Sequence, residues 1–271
     1  MRAVEVTAAG DRIRWVEIPG DEGAGASGGE VPGAEVPGGE VPVRVYVHGL
    51  GAASGPYFTE AALHPALAGH RSLLVDLLGH GLSDRPESLA YTMEEHADFL
   101  ARAMEAAGVR GADVIGHSMG GTIAVLLAAR HPHLVGRLVL VDANLDPVRP
   151  ETDTPGSSGL AALTEEEYLG GAWRGVRDRA GAHWWATMRL AGRVALHRSA
   201  VALARTEVRG VLERLAVPRT YLHPEADGPV PGAEALRAAG VRVGAVPECG
   251  HNIMLDNPEG FARAVAEALR T

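Results

Sequence analysis

Apolar and polar positions along this chain follow two periods, and the places where one gives way to the other outline its elements. Residues 3–7 and 12–18 alternate apolar with polar side chains, the spacing of a half-buried strand, and predict a β-hairpin. Short continuous apolar runs at Val43–Val47, Ser72–Val75, 112–115, Leu138–Val141, Thr220–His223 and Val241–Val246 predict strands buried on both faces. Between them the period changes to that of a helix. Over Thr92–Ala107 the apolar positions are Met93, Ala97, Leu100, Met104 and Ala107, and Thr92 with Glu95 has the spacing of a capping box. Further helices are predicted over 119–130, Ala233–Ala239 and 258–269, the last with Asn257 as N-cap and Pro258 in the first turn. Strands that alternate with helices in this way imply a parallel sheet covered on both faces.

Two segments break the alternation. Residues 19–42 are rich in Gly, Pro and Glu and hold a short repeat (Glu30-Val-Pro-Gly, Glu35-Val-Pro-Gly, Glu40-Val-Pro). Such a composition cannot bury a core and predicts a mobile hairpin loop. Residues 145–212 lack strand signals and read as helices, one opened by a second capping box at Thr164 and Glu167. An insertion at this point would lie over the carboxyl ends of the strands, where open α/β sheets bind ligands, and is expected to form a small helical cap. The expected organisation is a core from 1–144 and 213–271, with the cap at 145–212.

Composition narrows the function classes. At 271 residues the chain can bury a sizeable core, and its net charge of −9 argues against a general nucleic-acid binder. All 25 basic residues are arginine, which excludes Schiff-base chemistry and a P-loop lysine. The single cysteine, Cys249, cannot form an internal disulfide. No secretory signal and no apolar run of membrane-spanning length is visible, so the expectation is a cytoplasmic protein without membrane partners.

The chemistry concentrates at Gly116-His117-Ser118-Met119-Gly120-Gly121, a G-x-S-x-G between a predicted strand and a predicted helix. That is the context of a nucleophile elbow, a turn sharp enough to strain the serine backbone and project Oγ above the sheet. A Cβ at Gly116 or Gly120 would collide with the neighbouring strand or helix. A serine nucleophile needs a base, an orienting acid and an oxyanion hole. His251, in the loop before the last helix, is the expected base, matching the order Ser…His. The backbone N–H groups of Leu50, after the first core strand, and of Met119 are the expected oxyanion donors. The acid has two candidates. Asp142 ends the run Leu138–Val141, and Asp227 follows the next strand, where Asp-Gly is also a favoured turn pair.

Together, His48-Gly49-Leu50-Gly51, Asp76-Leu-Leu-Gly-His-Gly-Leu-Ser83, Gly116–Gly121, Leu138–Asp142 and Gly250-His251 resemble the α/β-hydrolase fold family. The resemblance runs from about 43 to 270. It implies an eight-stranded, mostly parallel sheet with helices on both faces, a Ser/His/acid triad and no cofactor. In most members the acid follows the strand after the cap, in a Gly-x-x-Asp pattern; here that slot reads Pro224-Glu-Ala-Asp227, without the glycine. In a minority the acid follows the preceding strand, and Asp142 is favoured on that ground, with Asp227 as the alternative. His48, Gly49 and His117, inside Gly-containing turns, and the cap tryptophans Trp173, Trp184 and Trp185 are expected around a largely apolar substrate pocket. The expected activity is hydrolysis of an ester, lactone or thioester of a small molecule. Carbon–carbon bond hydrolysis by the same triad and a non-enzymatic ligand receptor are the alternatives.

Overall fold

The structure, a computed structural model, describes residues 1–21, 42–154 and 156–270. Its elements in order are β1 (Arg2–Glu5), β2 (Arg12–Ile18), β3 (Arg44–Val47), α1 (Ser54–Leu63), β4 (Ser72–Asp76), α2 (Met93–Ala106), β5 (Ala112–His117), α3 (Met119–Arg130) and β6 (Val135–Val141). Between β6 and β7 lie α4 (Gly156–Ala161), α5 (Glu165–Glu167), α6 (Trp173–Met188), α7 (Arg193–Arg205) and α8 (Arg209–Arg214). The chain returns to the core through β7 (Arg219–Pro224), α9 (Ala233–Ala238), β8 (Val241–Val246), α10 (Ile253–Asp256) and α11 (Pro258–Leu269). Of the expected Gly/Pro loop at 19–42, residues 22–41 lie outside the described residues.

The eight strands form one sheet in the order β1-β2-β4-β3-β5-β6-β7-β8. Strand β2 runs antiparallel to both of its neighbours, β1 and β4, and all other pairs are parallel. The chain goes from β3 outward to β4, then returns to the other side of β3 with β5. The order therefore reverses at β3 and β5, whose carboxyl ends open the crevice in which such sheets bind ligands. Alternate residues of β3 feed two cores. Val45 and Val47 pack with α2 and α3, whereas Tyr46 packs with Phe58 of α1 and Phe261 of α11. Helix α3 is buried from Met119 to Ala128, as its nearly all-apolar sequence requires.

The end signals act as their chemistry dictates. Both capping boxes form, with Glu95 N donating to Thr92 Oγ1 at 3.1 Å and Glu167 N to Thr164 Oγ1 at 3.2 Å. Asn257 Oδ1 accepts from Gly260 N at 2.9 Å. Helix α1 has no such local signal and contains Gly55 and Pro56. Its cap is a distant carboxylate: buried Asp76 accepts from Ser54 N at 2.7 Å and, through its other oxygen, from Leu82 N at 2.8 Å. The Asp76-Leu-Leu-Gly-His-Gly motif thus ties the loop after β4 to the start of α1.

Among the buried histidines of the described residues, His48, His80, His96 and His117 lie deepest. The rings of His48 and His80 are 5.3 Å apart and those of His80 and His96 6.2 Å, so burial and mutual repulsion both disfavour the imidazolium. Burial holds His48 down to about 4 and His80 to about 3, and pushes His96 and His117 well below the ordinary value. Below pH 6.5 the unfolded chain takes up protons at these rings and the folded chain does not. Stability is therefore complete above pH 6.5 and falls as pH drops toward the folded values. Each ring contributes at most about 2 kcal/mol of that loss by pH 5. Urea midpoints measured from pH 7.5 to 4.5 are expected to decline steeply below 6.5; a flat profile would contradict the neutral, buried state of these rings.

Candidate active site

The turn from β5 to α3 places Ser118 at φ 52°, ψ −121°, a conformation sparsely populated by residues with a side chain. Close backbone approach forces it. A Cβ on Gly116 would lie 2.5 Å from Gly120 O, and one on Gly120 would strike Val47 O and lie 2.6 Å from His48 O. Ser118 N donates to Val141 O at 2.9 Å and Gly121 N returns to Ser118 O at 2.9 Å. The serine is thereby held between the ends of β5 and β6, with Oγ facing a cavity of about 480 Å³.

His251 reaches the same cavity from the loop between β8 and α10. Its Nδ1 is 2.6 Å from Asp142 Oδ2. Because a carboxylate only accepts, Nδ1 carries the proton and Nε2 is left as the basic nitrogen of the neutral ring. Asp142 leaves β6 with φ 44°, and its N–H is anchored to Leu222 O at 2.7 Å. Neighbouring bonds hold the rest of that loop: Tyr221 Oη donates to Ala143 O at 2.8 Å and Thr122 Oγ1 to Asn144 O at 2.6 Å. Asp227, the alternative acid, lies in an exposed 3₁₀ turn (Glu225–Asp227), and the partner of His251 Nδ1 is Asp142.

The histidine backbone is braced too. His117 Nε2 lies 2.9 Å from His251 O, and since a carbonyl only accepts, that nitrogen bears the hydrogen. The His117 Nδ1 lone pair remains buried without a partner among the described residues. The two rings stand 4.7 Å apart, which adds to the burial that keeps His117 neutral. Cys249 donates its thiol hydrogen to Val246 O at 3.2 Å, and burial raises its pKa; it forms no pair with His251.

The loop after β3 faces the serine from the other side. His48 is fully buried, its Nδ1–H bonded to Gly49 O at 2.8 Å and its Nε2 accepting from Leu77 N at 3.0 Å, which selects one neutral tautomer. Gly49 O also accepts from Ala52 N at 3.2 Å. The N–H of Leu50 has no protein acceptor among the described residues, and that of Met119 is the first of α3, where the helix offers none.

Of the residues expected around substrate, Gly49, His117 and Trp184 line the cavity. His48, Trp173 and Trp185 do not. His48 is spent on bracing the loop, and Trp173 stacks on Trp185 at 6.5 Å under the guanidiniums of Arg174 and Arg193. Sequence reading missed Asn144, whose Oδ1 accepts from Ser118 Oγ at 3.2 Å, and also Tyr57 and Asn252 in the wall. Only the position of Asn144, two residues beyond Asp142, could have suggested it. Among the described residues, no Arg, Asp or Glu lines the cavity, and no group of three His, Cys, Asp or Glu side chains is arranged to hold a metal ion. No helix among them is long and apolar enough to cross a membrane.

Residues 42–213 match the alpha/beta hydrolase fold family, and the chain belongs to it. A non-heme chloroperoxidase of Streptomyces lividans is 32% identical over 190 residues, 62% of this chain and 68% of that protein. A 2-hydroxymuconate semialdehyde hydrolase of Pseudomonas putida is 37% identical over 95 residues, 35% of this chain; the match spans only 34% of that protein's length. Among solved structures, an esterase from Exiguobacterium antarcticum superposes over 99% of both chains with a TM-score of 0.75 at 21% identity. The protein is an α/β hydrolase on an eight-stranded, mostly parallel sheet.

The two carboxylates make opposite predictions. Asp142→Asn is expected to lower kcat/KM for an activated ester at least about 100-fold, through loss of the correct His251 tautomer. Asp227→Asn is expected to stay within about threefold, as for an exposed carboxylate that makes no bond to the ring. The reverse ranking would assign the acid to the loop after β7.

Proposed function

We propose that the protein is a serine hydrolase that cleaves an ester, lactone or thioester of a small, uncharged, largely apolar molecule through an acyl-enzyme. The observation that carries the reading is the 2.6 Å contact of Asp142 Oδ2 with His251 Nδ1, beside a cavity that also holds strained Ser118. In the resting protein the Ser118 hydroxyl is turned to Asn144. Attack begins when it rotates toward His251 and gives its proton to Nε2 as Oγ bonds the carbonyl carbon. The oxyanion accepts the N–H groups of Leu50 and Met119, the second reinforced by the positive end of α3. Collapse of the tetrahedral intermediate breaks the bond to the leaving group, which takes the proton from His251. Water then loses a proton to His251 and attacks the acyl carbon; the acid departs and Ser118 Oγ recovers its hydrogen. The helices between β6 and β7 act as a cap, with Ala180 and Trp184 in the cavity wall.

The same residues could cleave a carbon–carbon bond, and the Pseudomonas putida relative is a hydrolase of 2-hydroxymuconate semialdehyde. A muconate semialdehyde carries a carboxylate, however, and the lining residues named for this cavity include no arginine to receive one. An uncharged acyl compound fits better, since an unpaired charge in such a site is costly. A third reading, a ligand receptor without turnover, leaves the Asp142–His251 pair without a role.

A fluorophosphonate probe discriminates. The wild-type protein is expected to label stoichiometrically at Ser118, Ser118→Ala not at all, and short p-nitrophenyl esters to turn over at least tenfold better than a dienoate carbon–carbon substrate. A folded wild-type protein that fails to label would end the hydrolase reading.

A further inference from the structure

The loop that supplies Leu50 is held from two directions, and one of them is the helical insertion. Three successive carbonyls are occupied. Gly49 O accepts from His48 Nδ1–H at 2.8 Å, from the core side. Leu50 O accepts from the indole Nε1–H of Trp184 at 2.8 Å, and Gly51 O from the Oγ1–H of Thr187 at 3.0 Å. Trp184 and Thr187 both belong to α6, more than 130 residues further along the chain. Thr187 is buried, at 4% exposure, and its single hydroxyl proton has Trp184 O as a more distant acceptor at 3.2 Å.

Packing leaves this arrangement little slack. Gly51 has φ 68°, and a Cβ there would come within 2.8 Å of Trp184 Nε1 and 3.3 Å of Leu196 Cδ1 and Met188 Cγ. Helix α6 breaks at Gly181, with φ 70° and ψ 169°, three residues before Trp184. The Trp184–Met188 turns can therefore follow the core loop rather than the axis of the preceding turns. The far end of the same segment is fixed as well, since Gly192 N donates to Gly79 O at 2.8 Å.

We infer that Trp184 and Thr187 are positioning residues that hold the Leu50 peptide in the orientation an oxyanion needs, making the seat of the cap part of the oxyanion hole. This rests on the hydrolase reading above. The Trp184 bond restrains the peptide unit adjacent to the one that carries the Leu50 N–H, the Thr187 bond fixes the unit after it, and misplacement of a donor by 1 Å suffices for a large loss of rate. Trp184 also lines the cavity, so the indole that meets substrate with its ring holds the loop with its N–H.

The test compares Trp184→Phe, Thr187→Val and Thr187→Ser with wild type. Its readouts are kcat and KM for p-nitrophenyl butyrate, inhibition by a propyl trifluoromethyl ketone and by butyrate, and amide exchange of residues 49–52. The expected result for W184F and T187V is a 5- to 50-fold loss in kcat and an equal loss of affinity for the ketone, whose adduct is tetrahedral. KM and butyrate affinity are expected to stay within twofold, amides 49–52 to exchange at least fivefold faster, and T187S to recover most of the loss. A defect confined to KM, a kcat loss with unchanged ketone affinity, or T187S as impaired as T187V would overturn the proposal. If W184F does not fold, the T187V and T187S pair decides alone. If the wild-type protein neither labels nor turns over, the hydrolase reading fails; exchange at 49–52 still judges the restraint, and unchanged rates in T187V would refute it.

Discussion

The close approach of Gly116 and Gly120 to their neighbours at the end of β5 is the contact on which the rest of the site depends. It compresses the strand-to-helix turn until Ser118 must adopt a left-handed backbone, a strain on the order of 1–3 kcal/mol. The strain persists because the surroundings over-determine it. Val141 O holds the serine N–H, α3 is buried over its first ten residues, and Gly120 lies against the carbonyls of Val47 and His48. The ends of β3, β5 and β6 are thus packed against one turn, and each brings the next group with it: β3 the loop with the Leu50 N–H, β6 the carboxylate of Asp142.

Around that turn the protein relies on directional hydrogen bonds in a nearly uncharged environment. Buried His48 and His117 are neutral, and each bonds a backbone group of a loop that carries a neighbouring functional residue. Neutral rings suit this task, since each offers one donor and one acceptor without the desolvation cost of a buried cation. The Asp142–His251 pair sits at the rim of the cavity, where 53% of the His251 side chain remains exposed. A developing imidazolium there would be stabilised by its carboxylate and by solvent, while the serine end stays buried. The same division shapes the substrate argument, because a cavity with neutral walls has little to offer an ionised acyl group.

Much of this was legible in the sequence. The two hydrophobic periods located all eight strands, and the elbow motif stood out because glycine is demanded at both close contacts. His251 was expected from its loop, whereas position left Asp142 and Asp227 both open and only the family resemblance favoured Asp142; the folded chain shows which carboxylate meets the ring. What escaped depends on partners distant in sequence. Helix α1 has no local cap, and its end is satisfied by Asp76, which no periodicity reveals. Asn144 gains its meaning from Ser118, 26 residues away. The tryptophans misled for a related reason. Large aromatic side chains in an insertion suggest a pocket, yet Trp173 and Trp185 satisfy each other and nearby arginines, and Trp184 alone of the three turns to the cavity.

The central claim is that Ser118 attacks beneath two backbone donors, with His251 and Asp142 moving its proton. A crystal structure of the phosphonylated protein tests it most directly. The account predicts phosphorus bonded to Ser118 Oγ and the phosphoryl oxygen about 2.7–3.1 Å from the N–H groups of both Leu50 and Met119. It also predicts Asp142 still bonded to His251 Nδ1. A phosphoryl oxygen directed instead to the side chain of Asn144, or an adduct on any other residue, would contradict it.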